Sequence, residues 1–573
     1  MAWVRVCRLE DLASKGKMAV KAGGRSIALF YVDGRVYAID NRCPHMGYPL
    51  VKGSVKGCIL TCDWHHARFD LETGGALDLW ADDAQVYRVN VRDGWVYVDL
   101  DTPQRGCHYY LRRVREALDH SITLVAAKSV LGAFSKCSGS KEVYRVVADW
   151  VDGRDYTWGG GATYIAAVAN LEAMGILDPR SHALGLVRGL EVLSEEASER
   201  SPRPFMAPLG LVARERLKDL KALLREALET RNPSAAERVL YTVSTLTESL
   251  EAVAGVFMEA ATDHYLADGH VVDFANKAFE FMRLVGLRHG IIRGLARMLA
   301  TARRYEEESA WRTPIDLVAV AEREFQRLPE AFEAGVEGGL HVEPEKVTEI
   351  VLGSDPEAIA RGLTSLLLKG YHPLSIARGV TYSAAVRLAE FNSANDVEDW
   401  FSPAHALTYA HAIYRALERT PSWEVFRGVY HAALRIYLDR LLSTPPYKPP
   451  KGSSGRDSRA LFKSLLETMD KRYSVDEVPG LVADYLASGG DEEELLKILA
   501  YAVLREDQDF HVVQVLEAGA RLSRELSKGG WRKTVYIAVA RFTASQAPTR
   551  RRVEHTLRIA EKLSHNQDLI GLS

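Results

Sequence analysis

The sequence predicts a two-part chain of the β plus all-α class. A small β-sandwich over residues 1–103 is followed by a large helical region of degenerate hairpins. Three observations predict it. Two Asp-Gly pairs lie between β-rich runs near the N-terminus. A cluster of cysteines and histidines sits between them. After Pro103 apolar residues recur at three- and four-residue spacing, the period of an amphipathic helix. At 573 residues the chain is also too long for one hydrophobic core.

The first hairpin is Ile27-Ala-Leu-Phe-Tyr-Val32, Asp33-Gly34, then Arg35-Val-Tyr-Ala-Ile39. The second runs from Val86 to Val91, turns at Asp93-Gly94 and returns over Trp95 to Val98. Asp-Gly between alternating runs suits a tight turn with positive φ. Between the hairpins stand Cys43-Pro-His45-Met-Gly47-Tyr48 and Cys62-Asp-Trp64-His65-His66-Ala67-Arg-Phe69. The order is C-x-H, sixteen intervening residues, then C-x-x-H. Structural zinc sites open on paired cysteines, and this alternation does not fit them.

The pattern resembles that of Rieske ferredoxins and ring-hydroxylating dioxygenases. Gly47, Leu50, Trp64 and Thr73-Gly74 also fall where that branch tends to have Gly, Leu, Trp and Thr-Gly. The resemblance implies a [2Fe–2S] cluster, with Cys43 and Cys62 on one iron and His45 and His65 on the other. The respiratory branch adds a cysteine to each loop, and Tyr48 and Trp64 lie in those neighbourhoods here. It also places hydroxyl side chains where this chain has Ala67 and Phe69. Fewer hydrogen bonds to the cluster imply a potential at the low end of the Rieske range. His66 reads as a solvent-facing loop residue, or as a cluster edge that helps electrons leave.

Four cysteines remain: Cys7, Cys58, Cys107 and Cys137. They form no regular framework and read as buried thiols of a cytoplasmic protein. The start of the chain lacks a signal-peptide core, and no apolar run is long enough to span a membrane. A net charge of −3 gives no electrostatic case for nucleic acid. Arg550-Arg-Arg552 reads as a solvated helix start.

Helical periodicity runs through Val239–Phe257, Gly290–Ala302, Pro356–Leu368 and Glu492–Glu506. The Pro-, Gly- and Ser-rich stretch 444–458 reads as a linker or loop between a helical domain, 104–443, and a C-terminal helical segment, 459–573, packed on it. Trp158-Gly-Gly-Gly161 reads as a flexible loop. No dinucleotide fingerprint occurs, so electrons are expected from a separate reductase or ferredoxin.

Histidines open several helical runs. His270-Val-Val-Asp-Phe-Ala-Asn resembles His405-Ala-Leu-Thr-Tyr-Ala-His. His511-Val-Val-Gln-Val-Leu-Glu and the run at His182 are looser matches, and His289 and His372 open a second type. Their irregular intervals fit no solenoid. Two readings stay open. In one, His270, His372, His405 and His511 converge on a second metal, a non-haem iron, with carboxylates such as Asp268, Asp273, Glu390, Asp507 or Asp509. In the other, the aspartates are N-caps and the histidines first-turn residues. The D-x-x-H-x₃₋₄-H motif of ring-hydroxylating oxygenases is not met by Asp399, His405 and His411, whose spacing is wrong. Lys369-Gly-Tyr-His372-Pro-Leu374 resembles a stretch of questin oxidase-like proteins. Those are helical proteins associated with oxidative ring cleavage, and the likeness implies His372 and its fellow helix-start histidines as site residues.

The leading expectation is therefore an oxidoreductase, an oxygenase or oxidase. Its cluster feeds a helical domain that oxidises a small organic substrate. The alternative is a non-enzymatic electron carrier or redox sensor on a helical scaffold.

Overall fold

The structure, a computed structural model, describes residues 3–101, 105–154, 158–198, 206–210, 217–527 and 529–564. The boundary expected at 103/104 lies outside the described residues. Two compact units are present: Met1–Val146 with Arg552–Ser573, and Val147–Arg551.

The first unit is built on three antiparallel sheets. One joins β1 (Trp3–Arg8), β10 (Trp95–Asp99) and β9 (Val89–Arg92). The next orders β2 (Lys17–Ala22), β3 (Arg25–Val32), β4 (Arg35–Asp40) and β8 (Val86–Tyr87). The smallest holds β5 (Ser54–Lys56), β6 (Ile59–Thr61) and β7 (Arg68–Asp70). Both expected hairpins form. Val32 pairs with Arg35 across Asp33-Gly34, whose φ values are 47° and 77°. Arg92 pairs with Trp95 across Asp93-Gly94, at 48° and 74°.

Strand β3 lies between two cores. Its alternation sends Ile27 and Leu29 to a core with Val96 and Val98. Ala28 and Phe30 go to another, with Leu60, Phe69, Cys43 and Cys62. Such a continuous apolar strand marks burial on both faces.

The same unit includes the helices Cys107–His120, Thr123–Lys136 and Arg552–Ser564. The sandwich unit thus extends well past its last strand, and the C-terminal helix belongs to it. Periodicity shows that these helices are amphipathic but not which body they cover. Cys107 and Cys137 form a disulfide with Cα atoms 4.8 Å apart, which corrects the expectation of thiols. The antiparallel helical hairpin returns its end to its beginning, a proximity that a separation of 30 residues conceals. Closing a loop of that length is worth about 3.6 kcal/mol in the chain-entropy account. Cys7, Cys43, Cys58 and Cys62 are free thiols.

The second unit is helical throughout, and the expected linker holds no helix or strand between Leu438 and Ser458. Among the described residues no helix is long and apolar enough to cross a membrane. The Trp-Gly-Gly-Gly segment is not a loose loop. Gly160 and Gly161 form the buried first turn of the helix Gly160–Ala173, where a Cβ on Gly161 would lie 2.4 Å from the Leu193 backbone.

Candidate redox centres

Two loops of the sandwich carry the cysteine and histidine boxes, one after β4 and one between β6 and β7. Each is a closed turn. Gly47 N–H donates to the Cys43 carbonyl at 2.7 Å, and Cys43 N–H to Tyr48 at 2.8 Å. His66 N–H donates to the Cys62 carbonyl at 2.9 Å, and Cys62 N–H to Ala67 at 2.8 Å. Gly47, at φ 83°, and His66, at φ 63°, make the left-handed steps. The turns bring the His45 and His65 rings to 4.8 Å, edge to face.

These residues fit a [2Fe–2S] cluster. The Cys43 and Cys62 sulfurs hydrogen-bond to each other. That bond and burial push the Cys43 thiol up, while the bond pulls Cys62 down to about 6. The backbone N–H groups of His45 and Met46 face Cys43, and those of Trp64 and His65 face Cys62, ready for thiolate charge. Burial, then Lys128, lowers His45 to about 4, so it is neutral, the ligating form. Its Nδ1 is buried without a partner among the described residues.

The loops are asymmetric toward water. Cys43 and Cys62 are buried, whereas His65 and His66 are exposed, as the solvent-facing reading of His66 expects. Trp64, 40% exposed, lies 4.2 Å from the His65 ring. Sequence reading missed Lys128, on the helix Thr123–Lys136. Its ammonium donates to the Pro44 and His45 carbonyls at 2.5 and 3.1 Å and pairs with Asp82 at 3.1 Å.

A family model for the Rieske [2Fe-2S] domain matches residues 2–88. A 3-phenylpropionate/cinnamic acid dioxygenase ferredoxin subunit of Photorhabdus laumondii is 36% identical over 106 residues, 100% of its length and 18% of this chain. The chain belongs to the Rieske [2Fe–2S] family. The ferredoxin component of naphthalene 1,2-dioxygenase/salicylate 5-hydroxylase systems of a Ralstonia species is 37% identical over 72% of its length and 13% of this chain. That of the Pseudomonas putida naphthalene 1,2-dioxygenase system is 31% identical over 95% of its length and 17% of this chain. The Rieske domain therefore carries a [2Fe–2S] electron-transfer centre of the dioxygenase-ferredoxin type. Ala67 and Phe69 are fully buried and offer the cluster no hydroxyl. We expect a midpoint of roughly −150 mV in a redox titration, and a clearly positive value overturns this.

The helical unit holds a second constellation. His270 is the first residue of the helix His270–Val285, His405 lies in the second turn of Phe401–Arg419, and His511 is the second residue of Phe510–Glu525. Their ligand nitrogens lie within 4.8 Å of one another. His405 Nε2 is 3.0 Å from His511 Nε2, which is 3.4 Å from His270 Nε2. Imidazole nitrogens about 2.1 Å from one ion sit about 3.0–3.4 Å apart in octahedral or tetrahedral arrays.

Each histidine has a carboxylate on its other nitrogen. Asp268 lies 2.7 Å from His405 Nδ1, Asp509 3.0 Å from His511 Nδ1, and Asp273 3.3 Å from His270 Nδ1. Asp509 also caps its helix, accepting from His511 N–H at 3.0 Å, so cap and orienting carboxylate are one residue. Asp268 is placed by a left-handed run, Ala267, Asp268 and Gly269, at φ 48°, 51° and 98°. Only glycine suits the last position, because a Cβ there would lie 2.9 Å from Tyr409 Cβ. Burial opposes ionisation of Asp268, but Arg435 and His405 outweigh it and hold its carboxyl well below the usual range. Burial is also the largest influence on His405, which it lowers. On His270 burial is again the largest single influence, but Asp273, Asp268 and Asp509 together outweigh it and raise the imidazole.

Not every expected residue joins. His372 caps the helix Pro373–Ala389, its Nδ1 accepting from Leu374 N–H at 3.2 Å, and it lines a different cavity with His341 and Arg378. The Pro at the next position favours that role, which uses the imidazole as a cap. His289 pairs with Ser244 at 2.9 Å, and His182 is buried on the helix Pro179–Ser198. Glu390 ends the His372-capped helix, and Asp507 presents its carbonyl to Arg188. Beside the trio, Trp158, Phe274, Phe510, Met298 and Glu196 line a cavity of about 440 Å³ that reaches His270.

Proposed function

We propose that this protein is an oxidoreductase whose Rieske cluster passes electrons, received from a separate reductase or ferredoxin, to an iron held by His270, His405 and His511. The carrying observation is the orientation of the trio. With each Nδ1–H donating to an aspartate, each Nε2 presents a lone pair, that of His511 lying 3.0 Å from His405 Nε2 and 3.4 Å from His270 Nε2. A cation stabilises that arrangement and its lack does not. Three neutral donors leave positions open for exogenous ligands. A metal fed by a one-electron cluster must itself be redox-active, which favours iron over zinc.

When bound, the iron would supply dioxygen chemistry. The chain's own residues hold and orient it, and the adjoining cavity sets the substrate class. Its aromatic and thioether walls fit a small, largely apolar organic molecule. Glu196, which also lines it, accepts from Gly161 N–H at 3.1 Å.

Metal analysis after anaerobic purification tests the reading. About three irons per chain are expected, falling to about two in His405→Ala with the cluster spectrum unchanged. Two irons and no other metal in the unaltered protein overturns it.

A further inference from the structure

The recurrence of helix-opening histidines extends beyond the histidines. In the first two runs, and in the looser third, a polar residue follows at the third and at the sixth position. His270 is followed by Asp273 and Asn276, His405 by Thr408 and His411, and His511 by Gln514 and Glu517. The three helices run parallel. Their first turns meet at the trio, Thr408 donates to Asp273 at 3.2 Å, Lys277 donates to Glu517 at 2.6 Å, and Arg415 pairs with Glu525 at 3.3 Å near their last turns. The repeat therefore stacks as tiers on one inner face, over about 15 Å from the histidines to the tenth residue below them.

These tiers are buried. Gln514 is 1% exposed, His411 2% and Glu517 0%. Several of their polar atoms nevertheless have no protein partner among the described residues: both ends of the Gln514 amide, His411 Nε2, Asn276 Nδ2 and one oxygen of Asp273. A dry apolar packing of three helices does not concentrate such atoms on one face, whereas a file of waters satisfies them. At the far end lie Arg415 and Glu525, about a fifth and a third exposed, where the column meets the surface. The charged groups facing His411 are Glu517, Lys277, Arg415 and Arg521.

We infer that these tiers form a hydrated column that carries protons from the Arg415–Glu525 end, past Glu517, His411 and Gln514, to the histidine trio. This rests on the reading of the trio as a metal centre. Insertion of oxygen into a C–H bond by dioxygen needs two electrons and two protons. The C–H bond becomes C–O–H, and the second oxygen leaves as water. The Rieske cluster supplies electrons singly, and the column supplies a proton for each.

Two measurements test it. The first uses the unaltered protein: exchange of the histidine ring C2 proton with deuterium, followed by mass spectrometry. His411 is expected to exchange at least tenfold faster than His182, which is similarly buried on the helix Pro179–Ser198. Equal rates would mean a dry interior and overturn the column. The second follows cluster reoxidation after the dithionite-reduced protein meets dioxygen. Gln514→Leu is expected to slow it at least tenfold, with metal content and Tm unchanged. An unchanged rate in a folded, metal-loaded variant overturns proton delivery. If Gln514→Leu does not fold, the exchange comparison decides. A trio without metal in the unaltered protein sinks the parent reading separately, since His411 exchange does not depend on bound metal.

Discussion

Asp268→Ala is expected to lower stability by about 3–5 kcal/mol and to weaken metal retention at the histidine trio by roughly 10–100-fold. Asp268 serves a cation and a neutral imidazole at once. One oxygen accepts from Arg435 Nε at 2.8 Å and the other meets His405 Nδ1 at 2.7 Å. Arg435 is 9% exposed on its side chain, and its remaining bonds go to Asp439 at 2.6 Å and to Ser402. Removing Asp268 leaves a buried guanidinium short of one counter-charge. It also frees the His405 ring to rotate or to take the other tautomer, which turns a proton toward the trio. Because the folded pKa of Asp268 lies below its unfolded value, its contribution is complete at neutral pH and is lost only as pH falls through the acid range. Thermal melting at pH 7, with metal content beside it, checks both parts. Asp268→Asn separates them, since it keeps a hydrogen bond and loses the charge. A variant with unchanged Tm and full metal would show that neither Arg435 nor His405 depends on Asp268.

The site was legible in kind more than in membership. Cys43, His45, Cys62 and His65 are local in sequence, each pair on one turn, so spacing alone describes their chemistry. His270, His405 and His511 come from helices far apart in the chain. Their shared context marked them, but the same context included His372, which a following proline turns into a cap. The carboxylates split the same way. Asp273 and Asp509 lie within three residues of the histidines they orient, whereas Asp268 orients His405, 137 residues further on, and Glu390 and Asp507 orient none of the three. Arg435 had no local signal, because what it does depends on a helix packing against a left-handed turn far upstream. The hairpins were readable from Asp-Gly, whose preference for positive φ is intrinsic. The disulfide was not, because its two cysteines meet only after two helices have folded back on each other.

Lys128 is the most consequential residue that the sequence did not mark, and Lys128→Met is the second large expected effect. Its side chain is 11% exposed, and its ammonium holds the Pro44 and His45 carbonyls of a cluster loop and pairs with Asp82, whose side chain is 10% exposed and bonded to Arg113 at 3.1 Å. Met keeps the length and apolar stem but removes three donors and the charge. Asp82 then depends on Arg113 alone and two carbonyls lose a charged donor, so about 3–5 kcal/mol of stability should be lost. The charge also acts on the cluster, as its lowering influence on His45 shows. A nearby cation favours the reduced state, which carries one more negative charge. Its removal should therefore lower the midpoint by on the order of 50 mV at an effective dielectric near 20. Lys128→Arg separates charge from geometry, because it keeps the cation while changing the donor fork. If Lys128 only braces the loop, Lys128→Met lowers Tm and leaves the midpoint where it was. If it also tunes the cluster, the midpoint falls in Lys128→Met and holds in Lys128→Arg.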